Sequence, residues 1–368
     1  MWGRVRDQLR YIWRYCWSPS THRMTSNATC IGKEENGTAV NADAVMKNFL
    51  MVLHTLTIVL GTTGNSMVIW VAGFKLKPTV TNVWLVNLAV ADLIFCVTYS
   101  LPLIKRFYNY WLFGEFLCKF NGFFKYANMF CSVFLLAIIS IDRALCIWHP
   151  IITKNRRTLC AARLVSGAVW LAAAILSGPY FAYRQICQDK NNLDQCSMKD
   201  GETTEGDDLA LNAIRFLCGF LLPFLIILSC YILAGLGIKR TRLLGKTRPL
   251  RILALLVCAF FICWAPYHCI LLARVMIKKT NGLQAGLSAA KFLAYFNSCI
   301  NPLLYFCMGL NVRGSRFGRS IIGVYQRALA EDEDGRNTQC NNSAVHNDAS
   351  GSASQPSMLV SNTQVIKI

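Results

Sequence analysis

Long apolar runs, separated by short polar segments, dominate the chain. A helix needs roughly 20 apolar residues to cross the hydrocarbon core of a bilayer. Seven runs reach that length, near residues 49–74, 82–104, 117–147, 161–182, 210–238, 249–277 and 286–308. With 54% hydrophobic and 15% charged residues, the composition is also that of a membrane protein. The pattern predicts an all-α membrane protein whose seven transmembrane helices occupy residues 49–310.

Polar segments flank this predicted bundle. Residues 1–48 form a polar N-terminal tail; residues 1–23 hold five arginines and no apolar signal core, so Met24 is an alternative start. Residues 311–329 alternate apolar side chains with arginines, which predicts a short amphipathic helix on the inner membrane surface. Residues 330–368 are polar and poor in aromatics, which is typical of a disordered tail.

The net charge of +19 is distributed unevenly between the loops. Three alternate loops are basic and contain no acid, whereas the loop over 185–208 holds seven acids and two lysines. Basic loops face the cytoplasm, which predicts an extracellular N-terminus and a cytoplasmic C-terminus in the plasma membrane. The charge is thus explained by topology and indicates no nucleic-acid partner. Two glycosylation sequons, at Asn27 and Asn36, fall on the predicted outer side.

Most of the seventeen cysteines lie inside the spans, where they act as small hydrophobes. Five fall on the predicted oxidising side: Cys16, Cys30, Cys118, Cys187 and Cys196. Because five is odd, at least one of them lacks a partner within the set.

Polar residues recur at mid-membrane depth. A carboxyl there is a functional hypothesis by default, because lipid does not tolerate it unpaired. The candidate set comprises Asp92, Asn128, Ser132, Asn297 and Ser298, with Asn65 and Asn301 nearby. Their oxygens suit a small hard cation such as sodium, but they equally suit a network of interhelical hydrogen bonds. No other metal and no cofactor is expected.

The stretch "SIDRALCIWHP" places an acid and a base, Asp142 and Arg143, at the end of the third run. Arg143 follows Cys118 by 25 residues, roughly 37 Å of helix, so the two residues lie at opposite membrane edges. The pair is either a functional site at the inner edge or the charged flank of a buried helix. Pro179, Pro223, Pro266 and Pro302 lie in later runs, where each can kink its helix.

These features together resemble the rhodopsin-like (class A) G-protein-coupled receptors, from Asn65 through the amphipathic helix. The resemblance rests on "GN" at 64–65, "NLAVAD" ending at Asp92, "WLFG" before Cys118, Asp142-Arg143, Trp170, Pro223 with Tyr231, "CWAP" at 263–266 and "NPLLY" at 301–305. The segments "RFLCGFLLP", "FFICWAPYH" and "NSCINPLLY" are similar to the chemoattractant branch, the receptors for formyl peptides and chemerin.

The resemblance implies roles for several residues. Arg143 would be held by Asp142 at rest and meet a heterotrimeric G protein, of the inhibitory class, on activation. The other residues of the implied switch are Tyr231, Trp264, Pro266, Asn301, Pro302 and Tyr305. Cys118 would pair with Cys196 rather than Cys187. Ala144 replaces the family's usual tyrosine, which puts basal activity and coupling strength in question. Arrestin and receptor kinases would act on the C-terminal tail, and the biological roles would be leukocyte chemotaxis or inflammation.

The ligand site implied by this comparison is basic. The family's amine receptors carry an acid where this chain has Lys125, and its opsins carry a lysine where this chain has Tyr295, so both ligand classes are disfavoured. The candidate set is Lys125, Arg215, Arg274, Lys291, Trp264, Tyr267 and His268. Cations without a nearby acid favour a peptide, protein or anionic lipid ligand, although Lys125 and Arg274 could instead extend to the interface.

Other functions agree less well with the sequence. The sequence shows no internal repeat of the kind expected of a transporter. It also shows no nucleophile with a positioned base, which an enzyme would need. Two alternatives stay open within the same fold: a scavenger or decoy receptor that does not signal, and a receptor for a carboxylate-bearing lipid mediator.

Overall fold

Long helices make up nearly all of the structure. The computed structural model describes residues 40–189, 191–198, 205–241, 248–276, 281–310, 320–326 and 328–329. The helices are α1 (Val40–Trp70), α2 (Val80–Tyr108), α3 (Gly114–Trp148), α4 (Pro150–Arg156), α5 (Leu159–Ala182), α6 (Glu205–Phe216), α7 (Leu222–Thr241), α8 (Arg248–Met276) and α9 (Asn281–Leu310). Two π-helical turns, Val71–Lys75 and Leu217–Leu221, extend α1 and join α6 to α7.

Six of the described helices are long and apolar enough to cross a membrane. They cover Asn48–Lys75, Val80–Tyr108, Gly114–Trp148, Leu159–Ala182, Leu209–Gly237 and Leu253–Arg274. The seventh predicted span corresponds to α9, a 30-residue helix outside this set. Amides and a serine at 297, 298 and 301 make its middle more polar than that of the other helices.

The helix α3 lies at the centre of the bundle, where it packs against α2, α5, α7 and α8. Its side chains Phe130, Leu135 and Leu136 are almost completely buried. By contrast, Leu164 and Ile175 on α5 expose more than half of their surface. A bundle with a packed centre and an apolar exterior is the arrangement expected of helices surrounded by lipid.

A two-stranded antiparallel hairpin covers one end of the bundle. Strands β1 (Arg184–Gln188) and β2 (Asp194–Met198) pair with Ile186 opposite Cys196. Asp189 closes the turn by accepting the backbone N–H groups of Asn191 and Leu193. The hairpin was not predicted. We call this end of the bundle the hairpin end and the other the Arg143 end.

A disulfide joins Cys118 at the start of α3 to Cys196 in β2, with 5.6 Å between their Cα atoms. The predicted pairing is therefore confirmed. Cys187 is also disulfide-bonded. The predicted features at Cys16, Cys30, Asn27 and Asn36 lie outside the described residues.

Three of the four predicted proline positions lie inside helices, namely Pro179, Pro266 and Pro302. Pro223 is the second residue of α7, which follows the π-helical turn Leu217–Leu221. Beyond α9, residues 321–326 are helical; Ile321 is exposed, whereas Val324 and Tyr325 are buried. Residues 311–319 and the predicted tail from 330 lie outside the described part, so the amphipathic helix stays a prediction.

Candidate functional site

A cavity of about 300 Å³ opens near the hairpin end of the bundle. Four cations line it, and none of its described lining residues is an aspartate or a glutamate. The four cations are Arg106, Lys125, Arg184 and Lys291. Aromatic side chains, including Phe95, Tyr99 and Tyr295, form the rest of the wall. A wider cavity of about 980 Å³ shares Arg106 and Arg184 with it and reaches the hairpin at Gln195 and Cys196.

Four different elements supply these cations. Lys125 lies on α3 and Lys291 on α9, so the structure brings together two residues 166 positions apart in the chain. The Lys125 ammonium lies 5.1 Å from the ring centre of Tyr295 and 5.2 Å from that of Tyr126, as in cation–π contacts. Within the described ranges, no carboxylate pairs with any of the four cations.

Arg184 owes its position to the hairpin and to a glycine. It is the first residue of β1, and its Nη1 lies 3.4 Å from the sulfur of Cys196. A Cβ added at Gly122 of α3 would come within 2.7 Å of the Arg184 side chain. The glycine therefore leaves the space in which this arginine approaches α3.

Arg215 is buried beside the cavity in a cage of three tyrosines. Its Nη1 donates to the hydroxyl of Tyr267 at 2.6 Å and its Nε to that of Tyr180 at 3.2 Å. The guanidinium carbon lies 4.5 Å from the ring centre of Tyr126. Hydroxyl oxygens and π faces stabilise the cation but supply no formal negative charge. Arg215 thus keeps a net charge that an anion can compensate.

The remaining predicted ligand residues lie along α8. His268 is buried against Phe216, Phe220 and the ring of Trp264. Trp264 also contacts Tyr267 edge to face, at 5.8 Å between ring centres. Arg274 is half-buried in the last turn of α8 and, like Arg215, is not among the described residues that line either cavity.

A second polar cluster lies in the middle of the bundle. Asp92 is completely buried, and its two carboxylate oxygens accept the side-chain amides of Asn128 at 2.8 Å and Asn301 at 2.9 Å. The Ser298 hydroxyl donates to the Asn128 oxygen at 3.4 Å. These bonds join α2, α3 and α9, as the hydrogen-bond interpretation of this cluster predicts.

The same cluster retains oxygens that fit a small cation. The Ser132 hydroxyl is buried and has no hydrogen-bond partner among the described residues, and a carboxylate has lone pairs beyond the two that the amides use. Asn297, the residue before Ser298 on α9, is also buried. Within the described ranges, no three His, Cys, Asp or Glu side chains are grouped so that they could hold another metal.

At the Arg143 end, Asp142 contacts two arginines. Its Oδ2 lies 2.7 Å from Arg143 Nη2, a distance typical of an ion pair, although the two groups are not aligned as in a hydrogen bond. Its Oδ1 accepts a well-aligned bond from Arg157 Nε at 3.0 Å. Both guanidinium groups also donate to the Thr81 hydroxyl at 3.0 Å. Asp142 and Arg143 are therefore buried partners in a network that links α2 and α3.

The match to a family model decides which kind of protein this is. The model described as "7 transmembrane receptor (rhodopsin family)" matches residues 64–305, about two thirds of the chain. The chain belongs to the rhodopsin family of seven-transmembrane receptors. It is therefore a multi-pass membrane protein, and members of this family are receptors rather than enzymes.

Curated relatives of this receptor include several chemoattractant receptors. Formyl peptide receptor 2 of Mus musculus is 39% identical over 300 residues, which cover 77% of this chain and 85% of that protein. The C3a anaphylatoxin chemotactic receptor of Oncorhynchus mykiss is 38% identical, over 77% and 79% of the two chains. Chemerin-like receptor 2 of Mus musculus is 37% identical, over 76% and 81%. The predicted family and its chemoattractant branch are confirmed.

The remaining residues of the predicted switch lie on α7, α8 and α9. Tyr305 is buried on α9, whereas Tyr231 on α7 is half-buried, and its hydroxyl has no hydrogen-bond partner among the described residues. Pro302 packs against α1 at Gly64, where an added Cβ would lie 2.7 Å from the proline ring. Pro266 lies inside α8, two residues beyond Trp264.

Several side chains of these sites were not predicted. Arg106 and Arg184 were missed at the cavity, and Arg157, which lies in one of the three basic loops, was not predicted at the Arg143 end. The sequence did contain a signal for Arg106, because this residue stands just after the apolar run near 82–104, at its predicted outer end. In the structure it lies in the last turn of α2. No sequence signal distinguishes Arg157 from its neighbour Arg156.

Proposed function

We propose that this receptor binds an anionic ligand, a chemoattractant peptide with a free terminal carboxylate, and activates a heterotrimeric G protein of the inhibitory class. The proposed biological role is chemotaxis or inflammation. The similarity to receptors for formyl peptides, C3a and chemerin supports the ligand class, because those proteins are named for such ligands.

The basic cavity is the observation that carries this proposal. The described lining of this cavity holds Arg106, Lys125, Arg184 and Lys291 and no acid, and Arg215 is buried next to it. Like charges collected in a partly desolvated space repel one another, so the cavity attracts a group of opposite sign. A carboxylate satisfies this requirement, and arginine binds carboxylates through two parallel hydrogen bonds.

We further propose that the hairpin end faces the outside. The basic loops flank the Arg143 end and the acidic loop contains the hairpin, which supports this orientation. An epitope tag near Asn36 is then accessible to antibody on intact cells, and a tag after Cys340 only after permeabilisation. The opposite labelling would reject this topology.

The contacts of Asp142 support a resting role for the pair at the Arg143 end. A guanidinium that is bound to Asp142 and Thr81 is not available to a protein partner. Activation would release Arg143 when α8 moves outward at Pro266, because a ligand shifts the equilibrium by its difference in affinity for the two states.

A second candidate ligand is a lipid mediator with a carboxylate. The size of the smaller cavity favours this ligand, because a volume of about 300 Å³ with an aromatic wall suits a small amphipathic molecule better than a folded protein. Both candidates use the same cations.

Nucleotide exchange on a purified inhibitory G protein, driven by the reconstituted receptor, tests the proposal. The ligand panel compares peptides with free and amidated C-termini and lipid mediators with free and esterified carboxylates. We expect Lys291→Gln to weaken the response to the free acids. Lys119→Gln is the matched control, because Lys119 pairs with Glu115 and does not line the cavity.

Each result of this comparison has a definite meaning. Equal responses to free and blocked carboxylates would reject the anionic ligand. Saturable binding of a free acid without nucleotide exchange would instead favour the scavenger receptor of the same fold.

A further inference from the structure

A third cavity lies at the Arg143 end, on the side of the bundle where α2, α3 and α5 meet α4. Its volume is about 360 Å³. The wall is apolar and includes Trp84, Ile141, Leu145, Ile152, Ala161 and Val165. Leu145 and Ile152 are 46% and 63% exposed, so this groove is open to the surroundings of the bundle.

The exterior beside the groove is itself apolar. Leu164, on the same helix as Ala161, is 70% exposed. Because this helix is one of the candidate membrane spans, its exposed apolar face meets lipid. The groove is thus in position to receive an acyl chain from the membrane.

Polar groups occupy one rim of the groove. Arg156 and His149 are exposed there, and Arg157 contributes to the lining while it holds Asp142. Within the described part of the chain, Arg156 has no ion pair. Asp142 is the one acid among the described lining residues, and it contacts both Arg143 and Arg157. The rim therefore presents net positive charge.

We propose that this groove binds an anionic phospholipid of the adjacent leaflet. The acyl chain lies along the apolar wall, and the acidic head group pairs with Arg156 at the rim. In the proposed orientation this is the cytoplasmic leaflet, which carries the anionic lipids and attracts basic side chains near its surface.

Charge complementarity selects this occupant over the alternatives. A small hydrated anion makes no use of the apolar wall, and a neutral lipid makes no use of Arg156. An amphipath with a negative head group matches both halves of the groove. The bound head group lies beside Arg157, so it competes with Asp142 for that guanidinium.

Photo-crosslinking in nanodiscs tests the proposal without an agonist or a G protein, so it can fail independently of the receptor's proposed signalling. The full-length chain is placed in phosphatidylcholine discs that contain a trace of phosphatidylserine or phosphatidylcholine with a photoreactive acyl chain. Mass spectrometry then locates the labelled peptides. Both leaflets are identical, so the result does not depend on orientation.

We expect the phosphatidylserine probe to label residues 145–165 about five-fold more than the phosphatidylcholine probe, the factor expected from one cation near a lipid surface. Unlabelled phosphatidylserine should compete with this probe, whereas the large excess of unlabelled phosphatidylcholine that forms the disc should not prevent the labelling.

Two variant pairs separate head group from chain. Arg156→Gln should remove the preference, whereas Arg163→Gln, an exposed arginine on α5 outside the groove, should keep it. Ala161→Phe should reduce labelling by both probes, whereas Ala168→Phe, exposed on the same helix, should not.

Three outcomes would overturn the proposal. Equal labelling by both probes in the parent would mean that any lipid fills an apolar surface. An equal loss in Arg163→Gln would mean that diffuse surface charge attracts the lipid. No labelling of 145–165 by either probe would leave the groove to a protein partner.

Discussion

Arg157→Gln should raise the basal activity of the receptor. Arg157 is the better aligned of the two partners of Asp142, because its Nε donates to Oδ1 at 3.0 Å. Its Nη2 donates to the Thr81 hydroxyl, which also accepts a hydrogen bond from Arg143. Glutamine keeps a donor of similar shape but removes the charge. If the Asp142 network holds the resting state, its weakening shifts the equilibrium toward the active one.

The expected size follows from the burial of the pair. A charge-assisted hydrogen bond contributes about 1.5–3 kcal/mol when buried, and an exposed ion pair about 0.2–1 kcal/mol. The side chains of Arg157 and Asp142 are 15% and 9% exposed, between these limits. A loss of about 1 kcal/mol would raise the active fraction about five-fold while that fraction is small.

Agonist-free nucleotide exchange at equal surface expression measures this effect. Arg163→Gln is the control, since it removes the same charge from the exposed face of α5. A double-mutant cycle with Asp142→Asn tests the mechanism, because residues that act through one contact are not additive. If Arg157→Gln raises exchange equally in the Asp142→Asn background, Arg157 does not act through Asp142 and the reasoning fails.

Three further predictions follow from other parts of the receptor. Asp92→Asn should lower thermal stability in detergent, because an asparagine has one acceptor oxygen where the carboxyl group accepts from both Asn128 and Asn301. A sodium titration of agonist affinity in both forms then shows whether the cluster also binds an ion. Cys196→Ser should lower the melting temperature, because it removes a disulfide to α3 that closes a long loop, and such a bridge contributes about 2–4 kcal/mol. An unchanged melting temperature would contradict this. The backbone N–H of Leu193, more than any other group, holds the pKa of Asp189 below its usual range. The hairpin turn should therefore be stabilised above about pH 4 and lose that stabilisation as the pH falls below it. A fall in acid of the protection factor of the Leu193 amide, which compares its exchange with the intrinsic rate at each pH, would confirm the sign if it is absent in Asp189→Asn.

The spans were predictable because lipid imposes a simple demand on sequence. The run near 82–104 lies within α2 at Val80–Tyr108, and that near 117–147 within α3 at Gly114–Trp148. The helices extend past the apolar runs because their ends reach the interface, where polar side chains are tolerated. The π-helical turn Leu217–Leu221 was not predictable, since its residues are as apolar as the helices on either side.

The hairpin and the partners of Asp142 depend on contacts that no periodicity records. Strands β1 and β2 are short and polar, and a disulfide to α3 fixes β2 in place. The sequence placed an acid beside Arg143, but it did not show that Arg157 completes the pair from 15 residues away. Similarly, Arg184 joins Lys125 only because Gly122 leaves room for it.

The position of Arg215 suggests how an anion in the cavity could act on the switch. Arg215 bonds Tyr267 of α8, and Tyr267 packs against Trp264 on the same helix. An anion that draws the guanidinium toward the cavity competes with the Tyr267 hydroxyl, whereas a neutral ligand of the same shape does not. Because α8 also carries Pro266, the loss of this bond removes one contact that holds the helix against α6. The charge of the ligand, and not only its size, should therefore determine whether binding activates the receptor.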